Sequence, residues 1–299
     1  GLTLRGTHED GLMLIRDLLR PFLDTLEERY NHRGEPLGIP SGLVDLDKLL
    51  GGGFQDSDLV VVGARPGVGK TALLLKFALE ASKRFKKDGK RIRVAIFSIE
   101  MSRQQLLQRL YSSTTRIDSR KLRSGDLDGD QWDAVIGALP DLEKLELLID
   151  DTPSITVKQA KRKLKNQNVD LVIFDYLQLL GAPRGIRPDN RTQVVNANSR
   201  ELKGLAMALH IPVISAAQVS RAAVMDGNKK PELEHLKESG GIEENSDVVI
   251  MMHSPEGKDN ELSLNVAKHR NGPKGELAVY FQRENVRIVT IEKPAAVGG

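Results

Sequence analysis

Apolar residues fall into two rhythms that alternate along this chain. Short, near-continuous aliphatic runs at Leu59–Val62, Ile92–Ile99, Leu145–Ile149, Val169–Phe174, Pro212–Ala216 and Val248–Met252 read as strands buried on both faces. Between them the apolar positions recur every three or four residues and predict helices over 71–87, 102–114, 130–139, 155–167 and 192–210. Such an alternation builds a mostly parallel central sheet flanked by helices. Three further runs, Leu262–Ala267, Leu277–Phe281 and Arg287–Ile291, follow one another closely with Gly and Pro between them. They predict antiparallel C-terminal strands, so the expected class is α/β.

Upstream, Leu12, Ile15, Leu18, Leu19, Phe22 and Leu26 are spaced for a helix over 9–30, which Pro21 should kink or restart. A polar Gly/Pro-containing tether, 31–40, sets it apart. Its stripe either packs on its own domain or is buried on a neighbouring subunit. A short helix over 43–50, closed by glycines, follows the tether.

One strand leads straight into chemistry. After Val60-Val61-Val62 the chain reads Gly63-Ala64-Arg65-Pro66-Gly67-Val68-Gly69-Lys70-Thr71 and then a helix-forming Ala/Leu run. A polyphosphate needs backbone N–H groups converging on it, and Gly67 and Gly69 permit that curl in front of a helix N-terminus. Lys70 would reach the β- and γ-phosphates, and Thr71 would offer its hydroxyl to Mg²⁺. The first glycine of the usual pattern is replaced by Ala64.

Composition narrows the picture. Lys plus Arg (44) exceeds Asp plus Glu (41) by only three, so affinity for a polyanion must come from local clusters. There are no cysteines, which excludes disulfides and thiolate metal sites and suits a cytoplasmic protein. The six histidines are scattered without ligand spacing, and no apolar run approaches the length of a membrane span. The missing initiator Met reads as a processed or excised fragment.

In parallel sheets ligands bind beyond the carboxyl ends of the strands. Here those ends carry Glu100, Asp175 and Gln218. Asp175 suits the carboxylate that supports Mg²⁺, Glu100 a general base for the attacking water, and Gln218 a sensor of the γ-phosphate. Two basic loops follow, 181–191 and 219–241, the second with Arg221, Lys229, Lys230 and Lys237. They are either solvated surface or a surface for a phosphate backbone, since neither has an aromatic residue for base stacking. In 261–270 strict alternation puts Leu262, Leu264, Val266, Lys268 and Arg270 on one face, ending in two cations that could meet transition-state charge.

Read together, these segments resemble the RecA-like motor domain of DnaB-type replicative helicases. The resemblance covers 38–288 and rests on Ala64-Arg65-Pro66 before Gly69-Lys70-Thr71, Ser98-Ile99-Glu100-Met101, Phe174-Asp175-Tyr176-Leu177-Gln178-Leu179, Gln218 with Arg221, Leu236-Lys237-Glu238-Ser239-Gly240 and Lys268-His269-Arg270-Asn271-Gly272-Pro273. RecA and circadian-clock relatives would share the Gly-rich loop and acidic strand ends, but not the Lys268–Pro273 run. The resemblance implies a RecA-like P-loop NTPase that uses ATP and Mg²⁺ to translocate on single-stranded DNA as a ring and to unwind duplex at the replication fork. It implies nucleotide binding by Arg65 to Thr71, metal support by Thr71 and Asp175, and catalysis by Glu100 with Gln218 as sensor. Lys268 and Arg270 would be fingers reaching the next subunit's ATP, and Lys237, Glu238 and Gly240 would track DNA phosphates. The implied partners are single-stranded DNA, further copies in a homo-oligomer, expected to be a hexamer, a helicase loader and primase. The amino-terminal domain that serves primase contact in such helicases is expected to be missing. The expected organisation is a linker helix and tether over 1–37, a motor domain over 38–292 and a tail over 293–299.

Overall fold

The computed structural model describes residues 12–31, 37–219, 230–233, 235–236 and 241–291. All nine expected strands form, as β1 (Leu59–Ala64), β2 (Val94–Ser98), β3 (Leu147–Asp150), β4 (Leu171–Asp175), β5 (Val213–Gln218), β6 (Val248–His253), β7 (Glu261–His269), β8 (Gly275–Gln282) and β9 (Arg287–Thr290). They make one sheet in the order β3-β2-β4-β5-β1-β6-β7-β8-β9. The first six are parallel, and β7 to β9 are added antiparallel.

Why the parallel strands are so apolar is visible in β1, where every residue is buried. Val60 and Val62 face one core layer with Leu73 and Phe77, while Leu59 and Val61 face the other with Leu202 and Leu205. The first layer is roofed by α2 (Val44–Leu49), α3 (Lys70–Ser82) and α4 (Arg103–Thr115). The second is roofed by α7 (Val157–Leu164), α8 (Arg191–Leu209) and the short α9 (Ile242–Asn245). Burying one such aliphatic side chain contributes about 1.5–3 kcal/mol, which is why a two-faced strand needs no polar residue until its end. The helix expected over 71–87 stops at Ser82, and a bridge between Phe85 and Arg91 turns the chain toward β2. Helix α6 (Gly129–Glu143) is introduced by an Asp128/Gln131 capping box, and α5 (Ser119–Ser124) by the Asp118 carboxylate.

Two expectations fail for local reasons. Helix α1 (Ile15–Asn31) continues through Pro21 without a new start. Its apolar residues Leu18, Phe22 and Leu26 remain exposed, so the stripe is not packed on its own domain. The β7 face is also not continuous. A bulge between Val249 and Ile250 lets Val266 pair with Ile250 and Lys268 with Val249, so an extra residue, Ala267, breaks the alternation. Val266 therefore points to the α3 layer, whereas Lys268 turns to the α9 layer.

One strained corner makes a prediction about stability. Asp58, just before β1, is pushed up to about 6, first by burial and then by the Asp247 carboxylate, with Lys203, His269 and Arg270 opposing. A carboxyl whose folded pKa is raised binds its proton more tightly when folded, so its penalty is complete above pH 6 and fades as pH falls toward the unfolded value. Asp58→Asn should therefore melt at a higher temperature than the native chain at pH 7.5. That advantage should shrink progressively between pH 6 and 4, read by thermal melts across the range.

Candidate functional site

The strand order brings the C-terminal ends of β2, β4, β5 and β1 side by side. Ser98 is level with Asp175, and Ala64 with Gln218. Between β1 and α3 the loop 65–69 stands on the surface and then plunges into the core at Lys70, which is 8% exposed. Gly67 and Gly69 both have positive φ, 78° and 121°. A Cβ on Gly69 would also come within 2.8 Å of the Phe281 ring, so no other residue fits there. The turn after β8 contributes to the same loop, since Arg283 Nη1 lies 3.5 Å from the Gly67 carbonyl.

Inside the loop, the contacts of Lys70 Nζ among the described residues are long, 3.4 Å to the Ala64 carbonyl, 3.5 Å to that of Arg65 and 5.8 Å to the centre of the Tyr176 ring. Burial pushes its pKa down, and the charges of Asp175 and Glu100 pull it back. Thr71 Oγ1 donates a 2.6 Å hydrogen bond to Asp175 Oδ2. The other carboxylate oxygen, Oδ1, is buried with no hydrogen-bond partner among the described residues. Burial raises the Asp175 pKa; the Thr71 hydrogen bond lowers it, Glu100 raises it, and Lys70 and Arg109 lower it. An unpartnered buried carboxylate oxygen beside a hydroxyl is the donor set that a hard divalent cation takes up.

Glu100 follows β2 and is exposed, while its anchor is rigid: Ser98 Oγ donates to the Met101 carbonyl at 2.7 Å, and Ile99 N–H to the Asp175 carbonyl at 2.9 Å. The Gln178 amide pairs twice with the Gln218 backbone, giving at 3.0 Å and receiving at 3.1 Å. One residue on, Val219 N–H donates to the Ala64 carbonyl at 3.1 Å. The end of β5 is thus tied both to the Asp175 segment and to the phosphate loop.

The sequence reading missed Arg109. It sits on α4 between the buried Leu106 and Leu110, facing Asp175 and Glu100, and burial lowers its pKa while those carboxylates raise it. A cation interrupting an apolar helix face nine residues after Glu100 was the available signal. Lys268 and Arg270, by contrast, are not brought to this site within the chain. Arg270 N–H bonds to the Asp247 carbonyl, and Asp247 N–H to that of Leu59, so the pair lies level with the start of β1. Lys237, Glu238 and Gly240, with Arg221, lie outside the described residues. Leu236, immediately before them, is buried against the strand at Gly63. Among the described residues no cluster of His, Asp or Glu could hold a metal by itself, and no helix is long and apolar enough to cross a membrane.

With this geometry, residues 38–290 match the model of the DnaB-like helicase C-terminal domain. The chain belongs to this family. It is 37% identical over 296 residues to the replicative DNA helicase DnaB of Geobacillus stearothermophilus, covering 96% of this chain and 64% of that protein. It is 36% identical over 289 residues to the replicative DNA helicase DnaC of Bacillus subtilis (strain 168), covering 93% of this chain and 62% of that one. The chain therefore spans less than two thirds of the length of these relatives. Among solved structures it is similar to the ATPase domain of G40P, with a TM-score of 0.84 at 28% identity over 94% of this chain and all of that one. It is also similar to a DnaB-like replicative helicase described with its interactions with primase, at TM-score 0.82 and 28% identity over 93% of this chain and 70% of that one. A RecA-like fold and a nucleotide site follow for a DnaB-like C-terminal domain.

Proposed function

We propose that this DnaB-like chain is the ATP-driven motor of a replicative DNA helicase, which assembles as a hexameric ring in the cytoplasm, moves along single-stranded DNA and unwinds duplex at the fork. The observation that carries the reading is the bare Asp175 Oδ1, adjoining the Thr71 hydrogen bond and the desolvated Lys70. Thr71 and Asp175 are the residues that would hold Mg²⁺, directly or through water. When bound, the ion neutralises phosphate charge. Arg65 to Lys70 wrap the phosphates, with Lys70 as their buried cation. Glu100 takes the proton of the attacking water, and Arg109 faces the charge that develops between Glu100 and Asp175. Gln218, fixed by Gln178, reports the loss of the γ-phosphate to the loop that carries Lys237, Glu238 and Gly240, which hold DNA phosphates.

Lys268 and Arg270 act on the ATP of the adjacent subunit, and the exposed stripe of α1 docks on a neighbouring protomer. In this division 1–37 is linker helix and tether, 38–292 the motor and 293–299 a tail. A loader and primase are the expected protein partners, the latter because a structural neighbour interacts with primase. The test is a forked-DNA unwinding assay run beside ATPase with and without single-stranded DNA. ATP- and Mg²⁺-dependent unwinding with DNA-stimulated turnover is expected. Assembled protein that hydrolyses ATP in response to DNA yet opens no fork would instead be an ATP-switched DNA-binding assembly.

A further inference from the structure

The corner where Arg270 sits is organised by one buried carboxylate. Asp247, the residue before β6, is 2% exposed. Its Oδ2 accepts hydrogen bonds from Leu59 N–H at 2.8 Å and Lys203 Nζ at 2.6 Å, and its Oδ1 accepts one from Arg270 Nη1 at 3.2 Å. The backbone is pinned as well, with Asp247 N–H on the Leu59 carbonyl and Arg270 N–H on the Asp247 carbonyl, each at 2.9 Å. Donors from β1, α8 and the end of β7 therefore leave this carboxylate no freedom to turn. Lys203 pairs directly with its Oδ2, and the Asp58 carboxyl is a second acidic group at this corner, which Lys203, His269 and Arg270 oppose.

Arg270 is in the opposite condition. Its side chain is 50% exposed, and among the described residues it makes, besides Asp247, only a long 3.5 Å contact from Nη2 to the Glu244 carbonyl. A guanidinium offers five donors in a rigid planar fork, so one edge can be held while the other stays available. Lys268 has a separate anchor, donating to the Glu243 and Ser246 carbonyls at the end of α9.

Resting on the reading that Arg270 serves the neighbouring subunit's ATP, we propose that Asp247 is a positioning residue for that reaction. It holds one edge of the Arg270 guanidinium, with Lys203 locking the carboxylate, so that the free edge is presented across the subunit interface in a single orientation. An unanchored arginine samples many rotamers, all but one of which must be given up before charge can be met. A pre-oriented one meets it at once, and misplacement of a reacting group by about 1 Å costs up to about 100-fold.

The experiment is a double-mutant cycle on the assembled protein with Asp247→Asn, Arg270→Ala and the pair, reading kcat and KM for ATP together with melting temperature. Asp247→Asn should lower kcat by about 10- to 100-fold with KM for ATP close to native. The double variant should be no slower than Arg270→Ala alone, because a positioning group has nothing left to position. Multiplying defects would mean that Asp247 acts independently of Arg270, and an unchanged or raised kcat in Asp247→Asn would mean that it merely stores the guanidinium; either overturns the proposal. Native kcat in Arg270→Ala would instead remove the underlying reading, a result distinguishable from both. Should Asp247→Asn fail to fold, Asp247→Glu, which keeps the charge for Lys203 but displaces the oxygens, is read in the same cycle with the same outcomes.

Discussion

Replacing Lys70 by Ala is expected to abolish ATP turnover, by at least about 10²–10³-fold, while leaving the protein folded. Both halves follow from the same contacts. The ammonium is taken out of water yet has no carboxylate at contact distance among the described residues; it meets two carbonyls at 3.4 and 3.5 Å and lies 5.8 Å from the centre of the Tyr176 ring. A desolvated cation with such weak partners contributes little to the fold and has its full attraction in reserve for phosphate. Its removal does not orphan Ala64, whose carbonyl keeps the Val219 N–H at 3.1 Å. Without nucleotide, Lys70→Ala should therefore melt at or above the native temperature. Glu100→Gln provides the contrast, since it keeps shape but loses the base. It should bind a fluorescent ATP analogue with near-native affinity and hydrolyse ATP about 10²–10⁴-fold more slowly. Normal turnover in Lys70→Ala would end the phosphate-loop assignment. Lost binding with an unchanged rate per bound ATP in Glu100→Gln would end the assignment of the base.

How much of this was legible before the structure depended on whether a signal was local. The phosphate loop is, because its constraint is a φ that only glycine adopts followed by a helix start, both written in consecutive residues. Strands β1, β2, β4 and β6 are legible because two-faced burial leaves no polar residue inside them, and β7 to β9 because they follow one another closely with Gly and Pro between them. The Thr71–Asp175 contact joins residues 104 apart in sequence, and only the parallel order β4-β5-β1 makes it. Arg109 escaped because its partners arrive from two other strand ends. The bulge at Ala267 escaped because alternation reads a strand as uniform, whereas one extra residue reverses every side chain beyond it. Asp247 looks like ordinary strand-end solvation until β1, α8 and β7 are assembled around it.

The reversed face matters most for the second large effect, expected of Arg270→Ala. Arg270 is level with Leu59, five residues of β1 below Ala64, so about 17 Å of strand separates it from its own chain's phosphate loop. Its side chain, moreover, is turned into the α9 layer, where it meets Asp247 rather than the loop. An arginine so placed has no route to the nucleotide bound beside it, and any part it takes in hydrolysis must be at a neighbour's. A cation delivered in this way acts on the transferring phosphoryl group only when subunits are docked, and such a finger accounts for about 10³–10⁵-fold in rate elsewhere. Arg270→Ala should thus bind ATP normally and hydrolyse it at least about 10³-fold more slowly. Mixed with Lys70→Ala under conditions of subunit exchange, it should regain activity, because the two substitutions damage opposite sides of each junction. Some junctions in the mixture then pair an intact Lys70 with an intact Arg270 from next door. Were Arg270 to act within its own chain, no protomer in the mixture would be whole. ATPase above the sum of the two separate variants is the expected result. Its absence, with exchange verified by subunits labelled with two fluorophores, would refute the shared site.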